Sequence, residues 1–202
     1  MRAVLLGLVG ALALVLPAEA ADIAATDILG IKLRAPFAEV AGILTRLGAG
    51  PLTESVTCPA EVSGVCLRDV SVAVASQQRR ELFGIQFIED ADHKAREVYD
   101  IRYRDLPLQR ETADDFLAHA QKKFGPADLA LTSGVFYWGV VLDKGTGQVR
   151  IDTTKPFVLV DPIQRIVQLS DPAFFAAKRT ELNEAARDAA RRATEQTIQP
   201  RF

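Results

Sequence analysis

Three successive stretches of this chain alternate apolar and polar residues with a period of two, and that pattern restricts the fold more than any other feature. They are Val70, Val72 and Val74, then Phe83, Ile85 and Phe87, then Tyr99, Ile101 and Tyr103. A period of two is the repeat of a strand with one face in a core and the other in water. Strands are therefore expected at about 65–75, 82–89 and 96–104, joined by short polar turns into an antiparallel meander. The second face of the meander carries Asp100, Arg102 and Arg104, which must meet water or a partner.

Helical spacing stands on either side of this meander. Pro36 suits a first helical position and opens Phe37–Leu47, where Phe37, Val40, Ile43, Leu44 and Leu47 share a face and Gly48 supplies the stop. A second round starts at Thr112, whose hydroxyl can cap a helix with Asp115 three residues on. Phe116, Leu117, Ala120 and Phe124 give its buried stripe, and Gly125-Pro126 ends it. Further strands are expected at 134–142, 147–152, 156–161 and 165–169, the first two linked by the turn-rich Asp143–Gly147. Thr45-Arg46-Leu47-Gly48 and Lys122-Lys123-Phe124-Gly125 hold the same place in each round, as duplication of one unit would leave them. The fold class that follows is α+β. Two helix-plus-antiparallel-sheet units, 21–110 and 111–170, pack together and precede a C-terminal helix and tail at 171–202.

In that last segment Asp171 is a good cap and Pro172 a good first residue, and neither Gly nor Pro interrupts the chain again before Pro200. About 25 residues, or ~38 Å, can be helical. Leu182, Ala186, Ala189 and Ala193 form a narrow stripe along it, suited to docking on a partner or on the body of the protein. Alanines bury little area, so a solvated helix fraying beyond about Ala190 fits the same stripe. A comparable choice arises at Gly134–Val141, where alternation sends Trp138 to one apolar face and Tyr137 to the other. One face must meet the helices. The other is covered by neighbouring structure or is a recognition patch of the kind rich in Tyr and Trp.

The first twenty residues read as a secretory signal peptide. Met1-Arg2 is a short positive start, Ala3–Leu16 an apolar run, and Pro17-Ala18-Glu19-Ala20 a small-residue cleavage site. The run is too short for an ordinary membrane span, and no later stretch reaches the roughly 18 apolar residues that one needs. A periplasmic or secreted protein without a transmembrane segment is expected. The two cysteines agree with export, since Cys58 and Cys66 flank a short Pro- and Gly-containing loop and would pair in an oxidising compartment. With 24 Lys and Arg against 26 Asp and Glu the chain is near neutral, which argues against a dedicated nucleic-acid binder.

Ile28-Leu29-Gly30-Ile31-Lys32, followed by Glu39-Val40 and Leu47-Gly48-Ala49-Gly50-Pro51, resembles the small envelope modules related to the E component of the outer-membrane β-barrel assembly machinery. Phe124-Gly125-Pro126 with Tyr137-Trp138 is similar to the helix exit and aromatic strand of the same pattern. Two such units in tandem, over about residues 27–170, resemble the β-lactamase-inhibitor-type architecture. The resemblance implies a protein that binds other proteins and brings no catalytic residues with it. The chain lacks the lipid-anchor cysteine of the assembly lipoproteins.

A direct search for chemistry yields little. The two histidines, His93 and His119, have no metal-ligand spacing, and Ser63 and Ser133 lie outside any nucleophile-elbow pattern. The best catalytic or metal candidate is Glu89, Asp90, Asp92 and His93 in one hairpin turn; a solvated turn has the same composition. An exported protein-binding or envelope accessory protein is therefore expected, with no catalytic set, metal or cofactor assigned and an envelope protein as partner. The alternative is a small periplasmic hydrolase or metal-dependent enzyme using the Glu89–His93 turn. The two differ in whether Asp92, His93 and another polar group converge in a concave pocket.

Overall fold

A computed structural model describes residues 22–59, 64–75, 79–107, 111–142, 149–150 and 154–198; the signal peptide expected at 1–20 and the turn expected at 143–147 lie outside them. After a turn of 3-10 helix at Ile23–Ala25 come β1 (Asp27–Ile28), β2 (Ile31–Lys32), α1 (Phe37–Arg46), β3 (Thr53–Thr57), β4 (Val65–Ala75), β5 (Arg79–Asp90) and β6 (Arg96–Pro107). The second half runs α2 (Ala113–Phe124), β7 (Leu129–Ala130), β8 (Phe136–Trp138), β9 (Val141–Leu142), β10 (Val149–Arg150), β11 (Phe157–Asp161), β12 (Ile166–Ser170) and α3 (Pro172–Ile198). The protein is α+β, as the sequence predicts. Pro36 takes the N-cap of α1 in extended conformation, one residue earlier than expected. Thr112 and Asp115 form the reciprocal capping box of α2.

Eight strands make one antiparallel sheet in the order β3-β4-β5-β6-β12-β11-β8-β7. Each unit therefore sends its chain from the outer edge inwards after its helix, and the last strands, β6 and β12, pair at the centre with Ile101 opposite Leu169. Apolar residues in register cross the sheet on one face: Val70, Ile85, Ile101, Leu169, Val158 and Trp138. Val40, Ile43 and Leu44 of α1 and Phe116, Ala120 and Phe124 of α2 join them in a single cluster. Both helices thus cover the same face.

The third helix lies on the other face, at one end. A register shift between Gln86 and Phe87 places Val98 opposite Phe87 and Asp100 opposite Gln86, leaving Tyr99 as the extra residue of a bulge. Strict alternation places Tyr99 on the buried side with Ile101 and Tyr103; the bulge turns it to α3, where its ring lies 4.6 Å from that of Phe175. Val65, Ile88 and Leu182 form a small second core there. Asp171 caps α3 through the Phe174 N–H at 2.9 Å and receives two hydrogen bonds from Arg34. Docking ends near Ala186. Gly64 approaches so closely, at φ +96°, that a Cβ there would stand 2.5 Å from the Ala186 Cβ, whereas residues 187–195 are all exposed. Ala186→Glu is expected to cost roughly 1–3 kcal/mol by overpacking this seam, and Ala189→Glu less than about 0.5 kcal/mol. Urea denaturation checks the pair; equal losses would contradict a seam that stops at Ala186.

The disulfide joins Cys58, just past β3, to Cys66 in β4, with sulfurs 1.96 Å apart. Among the described residues no helix is long and apolar enough to cross a membrane.

Candidate functional site

Beyond the foot of α3, the outer face of the sheet has no helix upon it among the described residues. One row crosses it from Thr53 through Ser71, Gly84, Arg102, Gln168 and Leu159 to Tyr137, each in register with the next. The row beside it holds Ser55, Asp69, Gln86, Asp100, Ser170 and Phe157. Because Gly84 has no side chain, a groove of about 650 Å³ opens over β4, β5 and β6, floored by Ser71, Ala73, Leu82 and Gly84 and walled by Arg102, Arg104 and Ile166. A smaller depression of about 210 Å³ continues it over Asp69, Gln86 and Asp100. The surface is polar at its centre and turns apolar and aromatic towards Leu159 and Tyr137.

Its polar groups are held in fixed positions. Gln86 Nε2 donates to Asp69 Oδ1 at 2.6 Å, and Gln168 Nε2 donates to Asp100 Oδ2 at 2.6 Å. Asp100 is 6% exposed. Burial raises its pKa above the ordinary carboxylate value, against the lowering effect of the Gln168 and Ser170 hydrogen bonds and of Arg102, while nearby Asp69 adds to the rise. The Tyr99 phenol is pushed up to about 12, chiefly by burial and then by Asp69 and Asp100. An acid with a raised folded pKa favours the native state below its unfolded pKa and loses that contribution as pH rises through the folded value. At neutral pH, Asp100 therefore costs stability. Asp100→Asn keeps an acceptor for Gln168 and should melt higher than the parent at about pH 7, the difference closing towards pH 3. A gap independent of pH would contradict this.

The other predicted residues fall elsewhere. Glu89 is fully buried, bound by Arg68 Nε at 2.9 Å, Arg96 Nε at 3.3 Å and His93 Nδ1 at 2.6 Å. Arg68 also pairs with Glu54. Asp90 instead accepts the Lys94 and Ala95 N–H groups, and Asp92 pairs with Lys94 in solvent. The turn thus splits: Glu89 and His93 meet, while Asp90 and Asp92 do not join them. His119 lies on the exposed side of α2, 3.1 Å from Glu111, at an apolar pocket of about 230 Å³ lined by Ile28, Phe116, Phe124 and Val167.

Of the surface candidates, Tyr137 is half-buried on the open face. Trp138 is 3% exposed, tilted on Phe124, with its N–H donated to the Gly125 carbonyl at 2.9 Å; it belongs to the core and is no part of a partner surface. Leu182 is spent on Val65 and Ile88 within the chain, and Ala186 on the Gly64 turn. Ala189 and Ala193 are exposed. Gly84 and Gln168 are not among the residues that the sequence marks for this face. An isolated glycine inside a strand pattern was the signal for the first; for Gln168 there was none, since its role depends on β12 pairing with β6.

Comparison with known proteins finds no matching family model, curated protein or solved structure.

Proposed function

We propose that this chain is an exported, non-catalytic protein of the cell envelope that binds another protein through the open face of its sheet. The observation that carries the reading is the groove over Gly84, with Arg102 and Arg104 on one wall and Leu82 and Ile166 supplying apolar surface. It fits a loop bearing a carboxylate beside an apolar side chain, the carboxylate meeting the arginines. Burying the Asp100 carboxyl on this face raises its pKa and costs stability at neutral pH, and such costs are common where a surface serves recognition. The signal-peptide pattern and the disulfide support the periplasm or the extracellular space as its location. The resemblance of residues 27–170 to envelope modules and to the β-lactamase-inhibitor-type architecture supports a protein partner. The mirrored strand order of the two halves supports an internal duplication.

The enzyme reading loses support from the turn on which it rested, because Glu89 is saturated by two arginines and His93 while Asp92 faces solvent. Capture from envelope extract by the immobilised protein tests the proposal. The parent and Arg46→Glu, which alters the opposite side of the molecule, should retain one partner in stoichiometric amount. Arg102→Glu, with an unchanged melting temperature, should lose it. Equal capture by all three would refute the open face as the binding surface.

A further inference from the structure

The corner where β3 ends and β5 turns into β6 brings together groups that the open face does not use. The sulfurs of Cys58 and Cys66 and a ring nitrogen of His93 all lie within 4.8 Å of one another. His93 is held there from three directions. Its N–H donates to the Asp90 carbonyl at 2.9 Å, its carbonyl accepts from Arg96 Nε at 2.8 Å, and its Nδ1 lies 2.6 Å from Glu89 Oε1. The residue also adopts φ +58°, a left-handed conformation that a non-glycine residue keeps only where its surroundings fix it. A buried carboxylate on one imidazole nitrogen is the arrangement that orients a metal-binding histidine and fixes its tautomer, leaving Nε2 to coordinate.

We propose that opening the Cys58–Cys66 disulfide turns this corner into a two-cysteine, one-histidine site for Zn²⁺. The reductant is a dithiol. Thiol–disulfide exchange transfers two electrons to the S–S bond, yields two cysteine thiols and leaves the reductant as its own disulfide. Zn²⁺ then displaces one proton from each thiol, binds the two thiolates and His93 Nε2, and completes a tetrahedron with water. Metal–sulfur bonds of about 2.3 Å place two thiolates of a tetrahedral site roughly 3.8 Å apart, so the sulfurs must move apart once their bond is broken. Cys58 is exposed and lies beyond the last residue of β3, where rotation of its side chain disturbs no strand. The oxidised protein has no thiolate to offer, so metal binding reports the redox state.

Titration with Co²⁺ after anaerobic reduction with a phosphine and removal of the reductant tests the proposal. The reduced protein should bind one equivalent, with a thiolate-to-cobalt charge-transfer band and the intense visible bands of tetrahedral Co²⁺; Zn²⁺ should abolish both. The oxidised protein should show neither. His93→Ala should weaken binding by more than about tenfold. Absence of the charge-transfer band in a reduced protein that keeps its circular dichroism would overturn the site, as would an unchanged affinity in His93→Ala. If reduction unfolds the chain, Zn²⁺ should restore its far-ultraviolet dichroism, and failure to do so would overturn it equally.

Discussion

Replacing Trp138 with alanine is expected to cost about 3–5 kcal/mol, a large share of the stability of a chain this size. The indole fills the space between the end of α2 and the sheet, tilted on Phe124 with ring centroids 5.6 Å apart, and its N–H satisfies the carbonyl of Gly125. Truncation removes the apolar area and the aromatic contact, and leaves that carbonyl without its indole donor. Trp138→Phe keeps most of the packing and gives up the hydrogen bond and some volume, so roughly 1–2 kcal/mol is expected. Urea denaturation should show the midpoint falling in that order. A loss under about 1 kcal/mol for the alanine variant would mean that the ring is not core.

Glu89→Ala should be about as damaging, at roughly 3–5 kcal/mol. The carboxylate is wholly buried, and the side chains of Arg68 and Arg96 are only 12% and 28% exposed. Removing the anion leaves two guanidinium groups over the Phe37 ring with their main counter-charge gone. Glu89→Gln keeps the shape and some hydrogen bonding and should lose less. Thermal melts of the two variants at one pH check the ranking, and a neutral alanine variant would show that Glu54 alone suffices for Arg68.

Much of this fold was legible because local rules and tertiary packing agree. The valines of β4 and the stripe of α1 bury the faces that their spacing marks, and the Thr112 box and the Asp171 cap lie at the helix starts that their chemistry specifies. What was not legible depends on contacts distant in sequence. Tyr99 changes face because one extra residue bulges out of β6, and a period-two pattern carries no mark of such an insertion. Trp138 lies in a strand apolar on both faces, so its fate waits on where α2 packs. Glu89 reads as a turn acid until the pairing of β4 with β5 and β6 brings Arg68 and Arg96 to it. The open face was half visible: Asp100, Arg102 and Arg104 stood out as its outward residues, but the groove at Gly84 and the Gln168 bridge exist only once the two halves join through β6 and β12.

Site-specific photo-crosslinking in living cells tests that surface most directly. A photoreactive residue placed at Arg102 or Leu159, on the open face, should yield one discrete adduct with a second protein, and the same residue at Arg46, on the outside of α1, should yield none. An adduct formed from position 46 but not from positions 102 and 159 would contradict recognition through the open sheet.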